Sequence, residues 1–201
     1  MARWIVSLVV FMSLALPAIG PGDAAVQVST AYSGLNLERC AEVSGSGSEQ
    51  PDVVYRCRGF KSIAKFDVYV FEKDGRYFVS YGRDAFDRRA ATQTLAPFNT
   101  IGDDLEWLLE RRSGDWEPFA TIVRYFTEIE ENGSFFRGEV LVISKIGPGE
   151  ACHVAYIDAR ATPNANRLAR ETASQVVRRF DCATQDPIII GERGRSLGPT
   201  S

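Results

Sequence analysis

Several chemistries are excluded by what this chain of 201 residues has little of. Its one histidine, His153, rules out a pair of imidazoles on a metal or in an acid–base relay. Four cysteines, Cys40, Cys57, Cys152 and Cys182, include no C-x2-C pair, so the usual ligand spacing of a structural zinc is missing. No G-x-S-x-G elbow is present; Gly45, Ser46 and Gly47 are a flexible alternation outside any strand-turn-helix setting. The glycines near positions 45, 75, 133 and 147 form neither a dinucleotide fingerprint nor a phosphate loop. A charge excess is lacking too: 23 basic against 26 acidic side chains leave a formal −3, too balanced for a nucleic-acid surface.

Long hydrophobic runs are confined to the beginning. Arg3 precedes residues 5–16, IVSLVVFMSLAL, an uncharged stretch too short to cross about 30 Å of hydrocarbon as a stable helix. Pro17 ends it, and Gly22 and Ala24 occupy the small-residue positions of a cut before Ala25. Residues 1–24 are therefore expected to be a cleavable export signal, and 25–201 to work in the periplasm or the medium with no stable membrane span. Residues 25–182 are long enough for one hydrophobic core, followed by a partly flexible tail, 183–201.

All four cysteines follow that cut, and an even number in an exported chain points to disulfides. Of three pairings, Cys40–Cys57 and Cys152–Cys182 are expected because each closes a local unit. Each would contribute about 2–4 kcal/mol, mainly by restricting the unfolded chain.

The pattern along the chain is mostly β. Residues 32–60 read as an irregular opening with short strands, and 44–52, SGSGSEQPD, as a loop. Two aromatic and β-branched runs flank Asp74 and Gly75, a hairpin signal because that turn needs positive φ. Asp84 is expected to cap a short helix ending before Pro97. DDLEWLLERR suits either period, and alternation of Leu105, Trp107 and Leu109 favours a strand. Turns at Ser113–Gly114, Asn132–Gly133 and Pro148–Gly149 then join further strands in an antiparallel meander. An amphipathic helix closes the domain, with Thr162 as its cap, Pro163 at its first position and Leu168 in its apolar stripe. The fold class is α+β: an antiparallel sheet with a C-terminal helix packed on one face.

The chemistry-bearing residues read blandly. His153 lies in a strand beside Cys152, where Asp158 or a distant carboxylate could serve as its partner, and suits a structural role better than a base. Oxidation of Cys152 removes it as a nucleophile. Asp103 with Asp104, and Glu128 with Glu130 and Glu131, lack the ordered spacing of a calcium loop and read as solvated charges. Tyr69, Phe71, Tyr77, Tyr81, Trp107 and Trp116 would make a ligand surface only if several faced outward; core packing is the expectation.

From ACHVAYIDA through PNANRLARETASQVVRRFDC the sequence resembles a loose group of small exported bacterial proteins with no established activity. The resemblance extends over most of residues 25–201 and carries over no catalytic residue, metal or cofactor. Together these readings imply a noncatalytic exported protein that binds an envelope protein as an accessory or inhibitor. The alternatives are an envelope protein binding a small molecule or polysaccharide, and a hydrolase working through carboxylates or His153.

Overall fold

A computed structural model describes residues 26–43, 53–62 and 66–199; the expected export signal, 1–24, and the expected loop, 44–52, fall outside these. Alternation builds two sheets. The larger orders its strands β1-β6-β7-β8-β9-β10 and the smaller β2-β3-β4-β5. The smaller holds β2 (Ala41–Val43), β3 (Val54–Cys57), β4 (Val68–Lys73) and β5 (Arg76–Tyr81), all antiparallel. In the larger, β1 (Val28–Gly34), β6 (Phe98–Arg112), β7 (Asp115–Glu131), β8 (Ser134–Gly147) and β9 (Glu150–Asp158) pair antiparallel, while β10 (Ile188–Ile189) adds to β9 in parallel.

The α+β class and the meander are as the sequence predicts, with the antiparallel strands divided between two sheets. DDLEWLLERR is a strand. Leu105, Trp107 and Leu109 enter the core between the sheets, where Val70, Val79 and Tyr81 of the smaller sheet meet Val123, Tyr125 and Val142 of the larger. Asp74 and Gly75 have φ of 53° and 69°, and Asn132 and Gly133 have 53° and 75°, as two-residue hairpin turns require.

The single helix α1 (Ala165–Val176) covers the other face of the larger sheet. Its Ala165, Ala169 and Ala173, with Val177 beyond, lie on Leu108, Ile122, Leu141, Ile143, Val154 and Ile157. Alanine carries this contact; Leu168 is only half-buried beside it.

Both disulfides form as expected, Cys40–Cys57 and Cys152–Cys182, with Cα separations of 4.5 and 5.7 Å. The first joins the chain entering β2 to the end of β3. The second ties β9 to the segment after the helix.

Three local expectations differ. After Asp84 the chain forms two 3-10 turns, Ala85–Asp87 and Arg89–Thr92, in place of one helix, and Asp84 makes no side-chain cap. Its carboxylate instead pairs with Arg88 at 2.9 Å. Thr162 does not cap α1: the residue before the helix is Asn164, in the left-handed region at φ 55°. The Thr162 hydroxyl accepts from the Glu192 N–H at 3.0 Å, so it anchors the tail. Within that tail, Ser196 is fully buried; its N–H and hydroxyl donate to the Asp158 carboxylate at 2.9 and 2.8 Å.

Candidate functional site

His153 is inside the protein, 1% exposed. A bulge pairs Ile143 with Ala155 and Ser144 with His153, leaving Val154 as the extra residue. Val154 and Ala155 thus both join the helix-side core, while His153 meets Tyr156, whose ring packs in the core between the sheets. His153 Nδ1 and the Tyr156 hydroxyl share a hydrogen bond of 3.0 Å. Burial pushes the imidazole pKa down to about 3, so the ring is neutral at pH 7. Asp158, the acid near it in sequence, is spent on Ser196 and on the N–H groups of Arg160 and Ala161.

Around this position the core is more polar than the strand patterns suggest. Thr121 donates to the Tyr81 hydroxyl at 2.8 Å, and the buried Tyr125 hydroxyl has no hydrogen-bond partner among the described residues. Burial raises the phenol of Tyr81 to about 12 and that of Tyr125 well above its ordinary value. These hydroxyls are held protonated, as donors and acceptors rather than bases.

The carboxylates fall into two groups. Asp103, Asp104, Glu128 and Glu130 are exposed, and Glu131 pairs with Arg195 at 2.5 Å. Glu106 and Glu110 are buried beneath the helix, a placement the sequence did not suggest. They lie four residues apart on β6, about 13 Å at 3.3 Å per strand residue. Arg170 and Arg178 lie eight apart along α1 and its final turn, about 12 Å at 1.5 Å per helical residue. The spacings match, and Arg170 pairs with Glu106 while Arg178 pairs with Glu110. Burial alone would raise the Glu110 carboxyl; hydrogen bonds from Arg178 and Arg112, with their charges, bring it below its usual value. Arg178 also lies over the Phe119 ring, 4.2 Å from its centroid.

Beside this latch a cleft of about 560 Å³ runs between the end of α1 and the β8–β9 turn. Tyr81, Trp107 and Phe119 contribute to its wall, and Glu110, Lys145 and Arg178 to its rim. The rim charges already have partners: Arg178 holds Glu110 at 2.8 Å, and Lys145 holds Glu150 at 2.9 Å and the Phe180 carbonyl at 2.8 Å. Among the described residues, no group of three or more His, Cys, Asp or Glu side chains is placed to hold a metal ion.

The aromatics named from the sequence do not form an outward surface. Phe71, Tyr81 and Trp107 are buried, and Tyr69, Tyr77 and Trp116 half-buried. Of the arginine doublets 88–89, 111–112 and 178–179, Arg88, Arg112 and Arg178 line the cleft with Tyr81, Trp107 and Phe119, while Arg89 donates to the Cys182 carbonyl and to Asp186. A different set is exposed: Phe98 at 62%, Phe126 at 42% and Phe135 at 68%. Register gathers them. Phe98 is opposite Glu128, Phe126 opposite Thr100 and Glu139, and Phe135 opposite Glu130, so all share one face. It is the face that α1 covers further along, past the Arg124–Asn166 hydrogen bond. The missed signal was parity: Phe126 is in step with Glu128 and Glu130, and Phe135 with Arg137 and Glu139.

A scan against protein-family models gave no match, and neither a search of curated proteins nor one of solved structures found a similar chain.

Proposed function

We propose that this is an exported, noncatalytic protein that binds another protein of the envelope or medium, as an accessory or inhibitor. The observation that carries the reading is the open sheet face with Phe98, Phe126 and Phe135 set among Glu128, Arg137, Glu139 and Arg160. Aromatic side chains with arginine, on a surface of mixed charge, are the composition of a protein–protein contact. Exposed phenylalanine also costs solubility unless it has a use. The chemistry-bearing groups point the same way: the cysteines are oxidised, His153 is buried and neutral, and Glu106 and Glu110 are consumed by arginines. Export rests on the leader sequence and on the resemblance to small exported bacterial proteins.

The test is crosslinking in native envelope extracts with wild type and with the triple variant Phe98→Ser, Phe126→Ser, Phe135→Ser. Wild type is expected to capture a defined partner, and the variant to lose it while keeping its melting temperature. Equal capture by both, or none by wild type, defeats the proposal.

The second reading, a small-molecule or glycan site, draws on the aromatic-walled cleft near Tyr81 and Phe119. It requires Phe119 or Tyr81 fluorescence and amide signals to respond to a soluble envelope glycan, with the triple variant responding like wild type.

A further inference from the structure

The outer edge of the larger sheet is β1, VSTAYSG, and it lacks the usual protection of a sheet edge. Its seven residues include no charge and no proline. Exposed strands normally carry such residues because an open edge is a template for another strand.

The register shows which backbone groups are open. In the β1–β6 pair, residue numbers in each partnership sum to a constant, Val28 with Glu110 through Gly34 with Asp104. At the two ends, the Leu35 N–H bonds the Asp103 carbonyl and the Arg111 N–H bonds the Gln27 carbonyl. Odd-numbered residues of β1 are therefore the ones that hydrogen-bond β6, because such pairs alternate along an antiparallel ladder. The N–H and C=O groups of Val28, Thr30, Tyr32 and Gly34 point away from β6. Among the described residues no strand or backbone hydrogen bond reaches them. These four residues are also the exposed ones of the strand.

We propose that this edge pairs antiparallel with β1 of a second copy of the chain, joining the two larger sheets across a twofold axis. The open groups are self-complementary. With Ala31 on the axis, Val28 meets Gly34 of the second copy, and Thr30 meets its Tyr32. Both relations repeat by symmetry, so all four N–H and all four C=O groups of each strand are satisfied. Ala31 then faces its own symmetry mate at a non-hydrogen-bonded position, where Cα atoms approach to about 4.5 Å and a small side chain fits best. No like charges oppose each other along the paired strands, since neither has any. Val28 at 40% and Tyr32 at 60% exposed would pack beside Gly34 and Thr30 of the second copy.

Thr30→Pro tests this directly. It removes an outward N–H and leaves the β1–β6 hydrogen bonds in place. Sedimentation equilibrium of wild type is expected to give twice the chain mass, and Thr30→Pro the single mass with an unchanged melting temperature. Ala31→Cys is expected to form an intermolecular disulfide on mild oxidation, while Thr30→Cys, which has no symmetric mate, does not. Should Thr30→Pro fail to fold, the cysteine pair decides alone. A wild-type monomer at all concentrations overturns the proposal, and so does a dimer that survives Thr30→Pro or gives no Ala31→Cys crosslink. Slow amide exchange at Val28, Thr30 and Tyr32 in dilute monomer also overturns it, since the chain itself would then cover the edge.

Discussion

The two faces of the larger sheet are buried by different physics. Toward the smaller sheet the contact is broad and aromatic: Trp107 is fully buried, its ring 6.3 Å from Phe60 and Tyr81 and 6.4 Å from Phe66. Its indole N–H donates to Ser33 at 2.8 Å. Toward the helix the contact is thin. Alanines bring α1 close to the strands, and the Glu106–Arg170 and Glu110–Arg178 pairs fix its rotation and height. Apolar area dominates the first face and orients nothing, because the hydrophobic effect is non-directional. Directional charge pairs dominate the second and contribute less net stability, since desolvation offsets much of their attraction.

Substitutions on either side of the sheet test that contrast. Trp107→Ala has the largest expected effect, about 3–5 kcal/mol from lost burial and a residual cavity, read as a fall in denaturation midpoint at constant slope. A loss below about 1 kcal/mol would show that the inter-sheet core is not the main store of stability. On the helix side Glu110→Gln is expected to cost about 1.5–3 kcal/mol, because it weakens charge-assisted hydrogen bonds from two arginines that are themselves partly exposed. Helix ellipticity should fall with it. Leu168→Asp is expected to cost about 1–2 kcal/mol, less than the stripe alone suggested, because that leucine is only half-buried. Phe135→Ser, at the far end of the same face, should change stability by less than about 0.5 kcal/mol. A larger loss there would mean that the face is folded against something.

Acid separates the two faces further. His153 is neutral in the folded protein and has its pKa lowered to about 3. The unfolded chain takes up its proton below about pH 6.5, so this contribution is complete above 6.5 and lost as pH falls from 6.5 toward 3. Glu110 is depressed from 4.5, so its contribution is complete above that value and disappears as pH falls through its lower folded pKa. Stability measured against pH should decline in those two stages. His153→Phe should remove the earlier stage and leave the later one; an unchanged profile would refute the buried neutral imidazole.

Some of this was open to reading from the chain. Asp74–Gly75 and Asn132–Gly133 determine tight hairpins through their own φ preferences, and alternation around Trp107 determines a strand. Glu106 and Glu110 were not legible as buried residues. In a one-dimensional pattern a glutamate between Trp107 and Leu105 marks the solvent face. Only the helix laid across that face, with Arg170 and Arg178 at the matching interval, makes burial tolerable. The Phe98–Phe126–Phe135 face was missed for the converse reason, since large aromatics are assigned inward unless their strand parity is followed past the end of the covering helix.

By itself the sequence determined the local structure: most strands, the tight turns, and a preference among the three cysteine pairings that the fold then bore out. Each depends on neighbours along the chain or on short loop closure. Tertiary structure alone decided the rest. It split the strands between two sheets, seated Ser196 on Asp158 38 residues away, and, among the described residues, left part of one face and one edge of the larger sheet uncovered. Those outcomes depend on what packs against a surface, and a strand's own residues do not specify what will lie above it.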